Sequence, residues 1–191
     1  MKRIRMGVVG CGAIAQVHHM PNLHGLQDLF EVTAVCDVSA GTAAYVAERF
    51  GVPQHFTDYR DLLATDVEAV LLCQSDPKTE VAIAVFDAGK HLFIEKPMCF
   101  SLQETDAIIA AHQRAGTVGQ VGYMKVYDPA YEYAKREVDG MDNIRFVQVN
   151  HLHPSNDLHV RQFHVERFDD IPAGVMEATR DARRAARQEA I

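Results

Sequence analysis

Short apolar runs alternate with stretches of helical periodicity from residue 4 to about residue 138. Residues 4–9 form an apolar run closed by Gly10 and read as a buried strand. A second run, 32–36, ends at Asp37, and His55-Phe56 is a short third. Residues 67–73 are apolar except for Glu68, as a strand covered on both faces requires. Residues 91–94 and 118–122 complete a set of six. Between the strands lie helical patterns with legible ends. Ala43, Val46, Ala47 and Phe50 make one apolar face of a helix over 39–50, and Gly51 stops it. Thr57 or Asp58 caps a short helix over 58–64. Val81, Ala84, Val85 and Ala88 mark a helix over 77–88, ended by Gly89. Ser101-Leu102-Gln103-Glu104 is a capping box opening a helix to Ala115, with Gly116 as its stop. Asp128-Pro129 caps and starts a helix through Val138.

This alternation predicts parallel strands joined by right-handed helical crossovers, hence an open doubly wound α/β sheet. Such sheets bind ligands beyond the carboxyl ends of their strands. Gly10, Asp37, residues 74–76, residues 95–97 and residues 123–125 all fall at strand ends and converge on one crevice.

The first strand–helix junction carries the most specific chemistry. Gly10-x-Gly12-x-x-Ala15 matches the dinucleotide fingerprint, with Ala at its third position. Gly10 permits a turn that a side chain blocks, Gly12 leaves room for a pyrophosphate, and Ala15 lets helix and strand pack closely. Ala13 and Ile14 begin the helix, whose N-terminus offers unpaired N–H groups to phosphate. Asp37 lies 22 residues beyond Ala15, close to the ~20 expected of a ribose-binding acid. Val38, Ser39 and Ala40 follow it, with no Arg to receive a 2′-phosphate, which favours NAD over NADP.

Composition narrows the class. At 191 residues the chain suits one domain, or one plus a fragment. A net charge of −7 argues against a nucleic-acid binder. Cys11, Cys36, Cys73 and Cys99 stand far apart, so buried reduced thiols are expected rather than disulfides or zinc ligands. With no signal-peptide core and no bilayer-spanning run, the cytoplasm is the expected location.

The glycine turn, Asp37, Gly89-Lys90-His91 and Glu95-Lys96-Pro97, in that order, resemble the glucose–fructose oxidoreductase / inositol dehydrogenase / rhizopine catabolism (Gfo/Idh/MocA) family over residues 4 to about 160. The resemblance implies a Rossmann-type domain over 1–122, followed by a remnant of a second α+β domain over 123–191. It implies NAD(P)-dependent hydride transfer on a sugar- or polyol-like substrate. It places Lys96 beside the nicotinamide and the substrate hydroxyl as the catalytic residue, with Ser75 and Glu95 also at the cofactor. An ammonium there can stabilise developing alkoxide charge. Glu95 is expected to hold that ammonium, and Pro97 fixes the backbone after it at a prolyl bond, where a cis peptide can form. Lys125 stands where a substrate-side basic residue often occurs. Relatives often carry a His after strand four; here residues 75–80 have none.

Residues 143–150, with apolar Ile144, Phe146 and Val149 and polar Arg145 and Gln148 between them, read as a seventh strand, in the resemblance the first of the second domain. In the resemblance that domain carries the substrate pocket, a catalytic Asp and His, and often the interface of a homo-oligomer. No such motif appears before Ile191, so a shortened version of a longer enzyme is expected. The competing reading is a non-catalytic NAD-binding module. His151 and His153 share a face of an extended segment, but no carboxylate or Cys completes a metal set, so they, His159 and His164 are read as loop histidines and no metal is expected. The segment 173–190 reads as an Ala- and Arg-rich helix. Residues 161–191 hold six Arg and six acidic residues, so a solvated helix is favoured over a nucleic-acid surface.

Overall fold

The computed structural model describes residues 2–75, 77–150, 152, 155, 158 and 160–189. Six strands form one sheet: β1 (Ile4–Val9), β2 (Phe30–Cys36), β3 (Gln54–Phe56), β4 (Ala69–Leu72), β5 (His91–Ile94) and β6 (Gly119–Val121). Every pairing is parallel, and the order is β3-β2-β1-β4-β5-β6. The order reverses between β2 and β4, on either side of β1, so the crevice opens at the carboxyl end of β1.

Helices cover both faces. A π-helical turn (Ala15–His19) leads into α1 (Met20–Gly25). α2 (Ala40–Phe50), α3 (Tyr59–Leu63), α4 (Thr79–Asp87) and α5 (Leu102–Ala115) follow the next strands in turn. The strand pleat divides the core in two. Val8 and Leu71 face Met20, Val35 and Val46 on one side. Val9 and Leu72 face Val70, Val85, Phe86 and Ile108 on the other.

The helix ends follow their sequence signals. Ser39 caps α2 by accepting the Thr42 N–H, and Gly51 ends it with φ +67°. Asp58 caps α3 through the Arg60 N–H. Ser101 and Glu104 form the reciprocal capping box of α5, and Gly116 closes that helix at φ +64°.

Beyond β6 lie α6 (Pro129–Asp139) and α7 (Ala173–Glu189). The seventh strand expected over 143–150 is not formed. Phe146, Val147 and Val149 are exposed, and among the described residues no strand supplies hydrogen-bond partners to the segment. Among the described residues, the expected remnant of an α+β domain is therefore helices and extended chain with no strand of its own. No described helix is long and apolar enough to cross a membrane.

Candidate nucleotide site

The carboxyl ends of β1, β2 and β4 are fastened at the glycine turn. The Gly10 N–H donates to the Cys36 carbonyl at 2.8 Å, and the Cys73 N–H to the Val9 carbonyl at 2.7 Å. Gly10 has φ +89°, and a Cβ there would collide with the backbone of Cys73 and Gln74. Only glycine fits both constraints. A Cβ on Gly12 would meet no atom within 4 Å, so that position opens on free space. Ala15 is fully buried where the helix crosses the strand. These are the three roles that the fingerprint assigns to its residues.

Asp37 closes the turn from the side. Its Oδ2 accepts the Cys11 N–H at 2.7 Å, and its Oδ1 accepts the Ser39 N–H at 2.9 Å. Burial pushes its carboxyl above the ordinary range, the two N–H groups hold it back, and the Asp170 carboxylate pushes it further up. A carboxylate has about four acceptor positions, so Asp37 keeps capacity for a ribose hydroxyl. Burial also raises the Cys11 and Cys73 thiols, and the Cys36 thiol to about 12. All four cysteines are free; Cys11 and Cys36 are buried, whereas Cys73 and Cys99 are only partly so.

A cleft of about 1010 Å³ lies over this turn. Gly10, Gly12, Ala13, Asp37 and Ser75 line its floor. Val165 to Phe168, Ile171 and the α7 residues Met176, Arg180 and Arg183 form its far wall. The chain before α7 is a strap tied to the helices of the Rossmann domain, most closely at Gln16 and at the start of α2. Gln16, buried within the first helix, donates to the Glu166 carbonyl at 3.1 Å and accepts the Glu166 N–H at 3.0 Å. Asp170 accepts the Ser39 hydroxyl at 2.5 Å and the Gly41 N–H at 2.7 Å. Between them Phe168 lies over Gly41 and tilts against Tyr45, with ring centroids 6.2 Å apart.

Glu95 and Lys96 lie at the end of β5, two strands from the turn, and neither lines this cleft; nor does Ile14, which is partly exposed. Lys96 is exposed and joined to Pro97 by a cis peptide bond. Glu95 does not hold the Lys96 ammonium as expected. Its Oε1 pairs with the His19 ring at 2.8 Å, and its Oε2 accepts the Lys96 backbone N–H at 3.0 Å. An adjacent side chain on an extended backbone points to the opposite face, which favours the cross-helix partner. Buried Lys78 donates to the Pro97 carbonyl at 2.7 Å and steadies the same corner. Lys125 and the tyrosines Tyr123, Tyr127, Tyr131 and Tyr133 are exposed. Asp76, His151, His153 and His159 lie outside the described residues.

Sequence reasoning missed His19, Gln16 and Asp170. A polar Gln16 directly after small Ala15, on a helix otherwise packed on the core, was the available signal for the second. Asp170 gave none, since its partners stand about 130 residues away.

Residues 4–123, more than half of the chain, match the family model described as "Oxidoreductase family, NAD-binding Rossmann fold". The inositol 2-dehydrogenase of Salmonella typhimurium is 33% identical over 140 residues, 71% of this chain and 41% of that protein. The crystal structure of myo-inositol 2-dehydrogenase from Lactobacillus plantarum superposes with a TM-score of 0.66 at 26% identity, over 72% of this chain and 41% of that one. The WlbA dehydrogenase from Chromobacterium violaceum, crystallised with NADH and UDP-GlcNAcA, gives 0.68 at 28% identity, over 73% and 40%. The chain thus spans about two fifths of the length of these relatives.

Proposed function

The chain belongs to the Gfo/Idh/MocA oxidoreductase family, and on that premise we propose that it binds NAD and serves hydride transfer on a sugar- or polyol-like alcohol. The observation that carries the reading is the interlock of the forced Gly10 turn, the open Gly12 position and the Asp37 carboxylate held at Cys11. In this reading residues 1–122 form the nucleotide-binding unit, and 123–191 form the connection that walls its cleft. Gly10, Gly12, Ala13, Ile14 and Ala15 shape the phosphate corner, Asp37 takes the ribose, and Ser75 borders the crevice beyond β4.

The bound nicotinamide supplies the hydride acceptor. Toward it the chain offers Lys96, whose ammonium donates a hydrogen bond to the substrate oxygen as negative charge grows there. Glu95, fixed by His19, holds the backbone N–H of Lys96 and so sets where the lysine leaves the strand. The inositol and nucleotide-sugar substrates named for the relatives support an alcohol of the polyol class, and the NADH in the WlbA crystal supports the cofactor. The net charge of −7 supports a small-molecule partner over a nucleic acid.

Calorimetric titration of NAD, run beside a turnover assay over a panel of polyols and sugars, tests the reading. NAD binding with reduction on at least one alcohol is the expected result. Binding without reduction on any of them would instead support a non-catalytic nucleotide-binding module. Absence of NAD binding would overturn both.

A further inference from the structure

Asp37 and Asp170 meet at Ser39: the first accepts its N–H and the second its hydroxyl. We propose that Asp170 is a cofactor-specificity residue, whose carboxylate takes the α2 donors that the 2′-phosphate of NADP needs. The inference rests on the dinucleotide reading above and deepens it.

A ribose held by Asp37 puts its 2′-oxygen near the carboxyl end of β2. A phosphate on that oxygen brings about −1.5 to −2 charge and three acceptor oxygens. It therefore needs donors close to Asp37. Donors stand in the first turn of α2, and four of them are engaged within the chain. The Ser39 N–H donates to Asp37 at 2.9 Å. The Thr42 N–H donates to the Ser39 hydroxyl oxygen at 2.9 Å. The Ser39 hydroxyl and the Gly41 N–H both donate to Asp170, at 2.5 Å and 2.7 Å. The helix end that would welcome an incoming anion is already supplied with one from the chain itself.

Two further features close the same corner. Ser39 is buried, so its hydroxyl cannot turn outward to a new acceptor without leaving Asp170. The Phe168 ring lies over Gly41 and fills the space above the helix start. Arg60, Arg167, Arg180 and Arg183 also line the cleft, but none of them follows Asp37 directly in the α2 turn. Rejection of the 2′-phosphate would then come from the Asp37–Asp170 pair, two carboxylates that share Ser39 as donor.

The test compares wild type with Asp170→Ala and the nearly isosteric Asp170→Asn, in the whole 191-residue chain. Affinities for NAD, NADP, 5′-AMP and 2′,5′-ADP are measured by calorimetry, with melting curves confirming that each variant folds. We expect wild type to favour NAD. Both variants should narrow the NAD-to-NADP ratio by about tenfold, through tighter NADP binding, as removal of an exposed like charge beside the ribose acid implies. The 2′,5′-ADP affinity should rise in step, and the NAD and 5′-AMP affinities should hold within about threefold. An unchanged ratio in both variants overturns the proposal, as does equal weakening of NAD and NADP, the mark of a merely structural role. Wild type that binds NADP as well as NAD overturns this inference alone. Wild type that binds neither overturns the dinucleotide reading with it.

Discussion

The Asp37 carboxylate accepts the Cys11 N–H at 2.7 Å across 26 residues of chain, so the acid at the end of β2 and the glycine turn after β1 are one hydrogen-bonded unit. The second oxygen of Asp37 accepts the Ser39 N–H, which ties the same unit to the start of α2. A side chain poised for a ligand is thereby also a brace for the backbone that shapes the ligand's pocket.

Asp37→Ala should therefore weaken both binding and folding. It leaves the Cys11 and Ser39 N–H groups without the acceptor, a loss of about 1–3 kcal/mol for buried donors. It also removes the proposed ribose contact, and NAD affinity should fall by about tenfold or more. Urea unfolding and calorimetry on the same preparations check the two halves. Unchanged NAD affinity would remove Asp37 from the site.

The two glycines of the turn should separate cleanly. Gly10→Ala places a Cβ against the backbone of Cys73 and Gln74 at φ +89°, and should cost roughly 2–4 kcal/mol of stability. Gly12→Ala meets no neighbour within 4 Å, so its melting temperature should stay close to wild type. NAD binding should nevertheless drop, because the added methyl stands where the pyrophosphate would approach the main chain. Equal stability losses in the two variants would contradict this division.

The capping box of α5 predicts a pH dependence. Burial pushes Glu104 up, but the Thr79 hydroxyl, the Phe100 and Ser101 N–H groups and the Ser101 hydroxyl outweigh it, and its carboxyl titrates below the ordinary range. A lowered folded pKa means that the unfolded chain binds the proton more readily. The stabilisation from Glu104 is then fully present above the ordinary carboxylate value. It is lost as pH falls through that value and the lower folded one. Melting curves of Glu104→Gln should lie below wild type at neutral pH and approach it in acid. A gap that does not change with pH would argue against the assigned hydrogen bonds.

What the sequence made legible was local or periodic. Ser39, Asp58, Ser101, Gly51 and Gly116 act within a few residues of their own position, so cap and stop signals read directly onto the helices. Strand and helix alternation implied the parallel sheet, and glycine spacing implied the turn. Residues 143–150 are rich in β-branched and aromatic side chains but have no strand beside them among the described residues, and composition alone cannot supply hydrogen-bond partners. The Glu95–His19 pair spans 76 residues and the Gln16–Glu166 pair 150, so no window of sequence contains either. The strap was illegible for the same reason: it is held by single side chains reaching distant backbone, and it has no apolar period of its own.

That attachment gives the last prediction. Gln16 is buried, and its amide serves both sides of the crevice. It donates to the Cys11 carbonyl at 2.9 Å and the Glu166 carbonyl at 3.1 Å, and accepts the Glu166 N–H at 3.0 Å. Leucine has nearly the same reach but no polar atoms, so Gln16→Leu leaves the Cys11 and Glu166 groups unsatisfied. A loss of about 1–3 kcal/mol follows, and it falls unevenly over the molecule. Asp170 still grips Ser39 and Gly41, and Phe168 still covers Gly41, so the far end of the strap stays in place. The segment 165–167 is freed first. Amide exchange followed by mass spectrometry should therefore quicken over those residues in the variant, while the β1 and β4 amides keep their protection. Uniform quickening across the sheet would mean that Gln16 supports the core rather than the strap. Unchanged exchange at 165–167 would mean that Phe168 and Asp170 hold the strap without it.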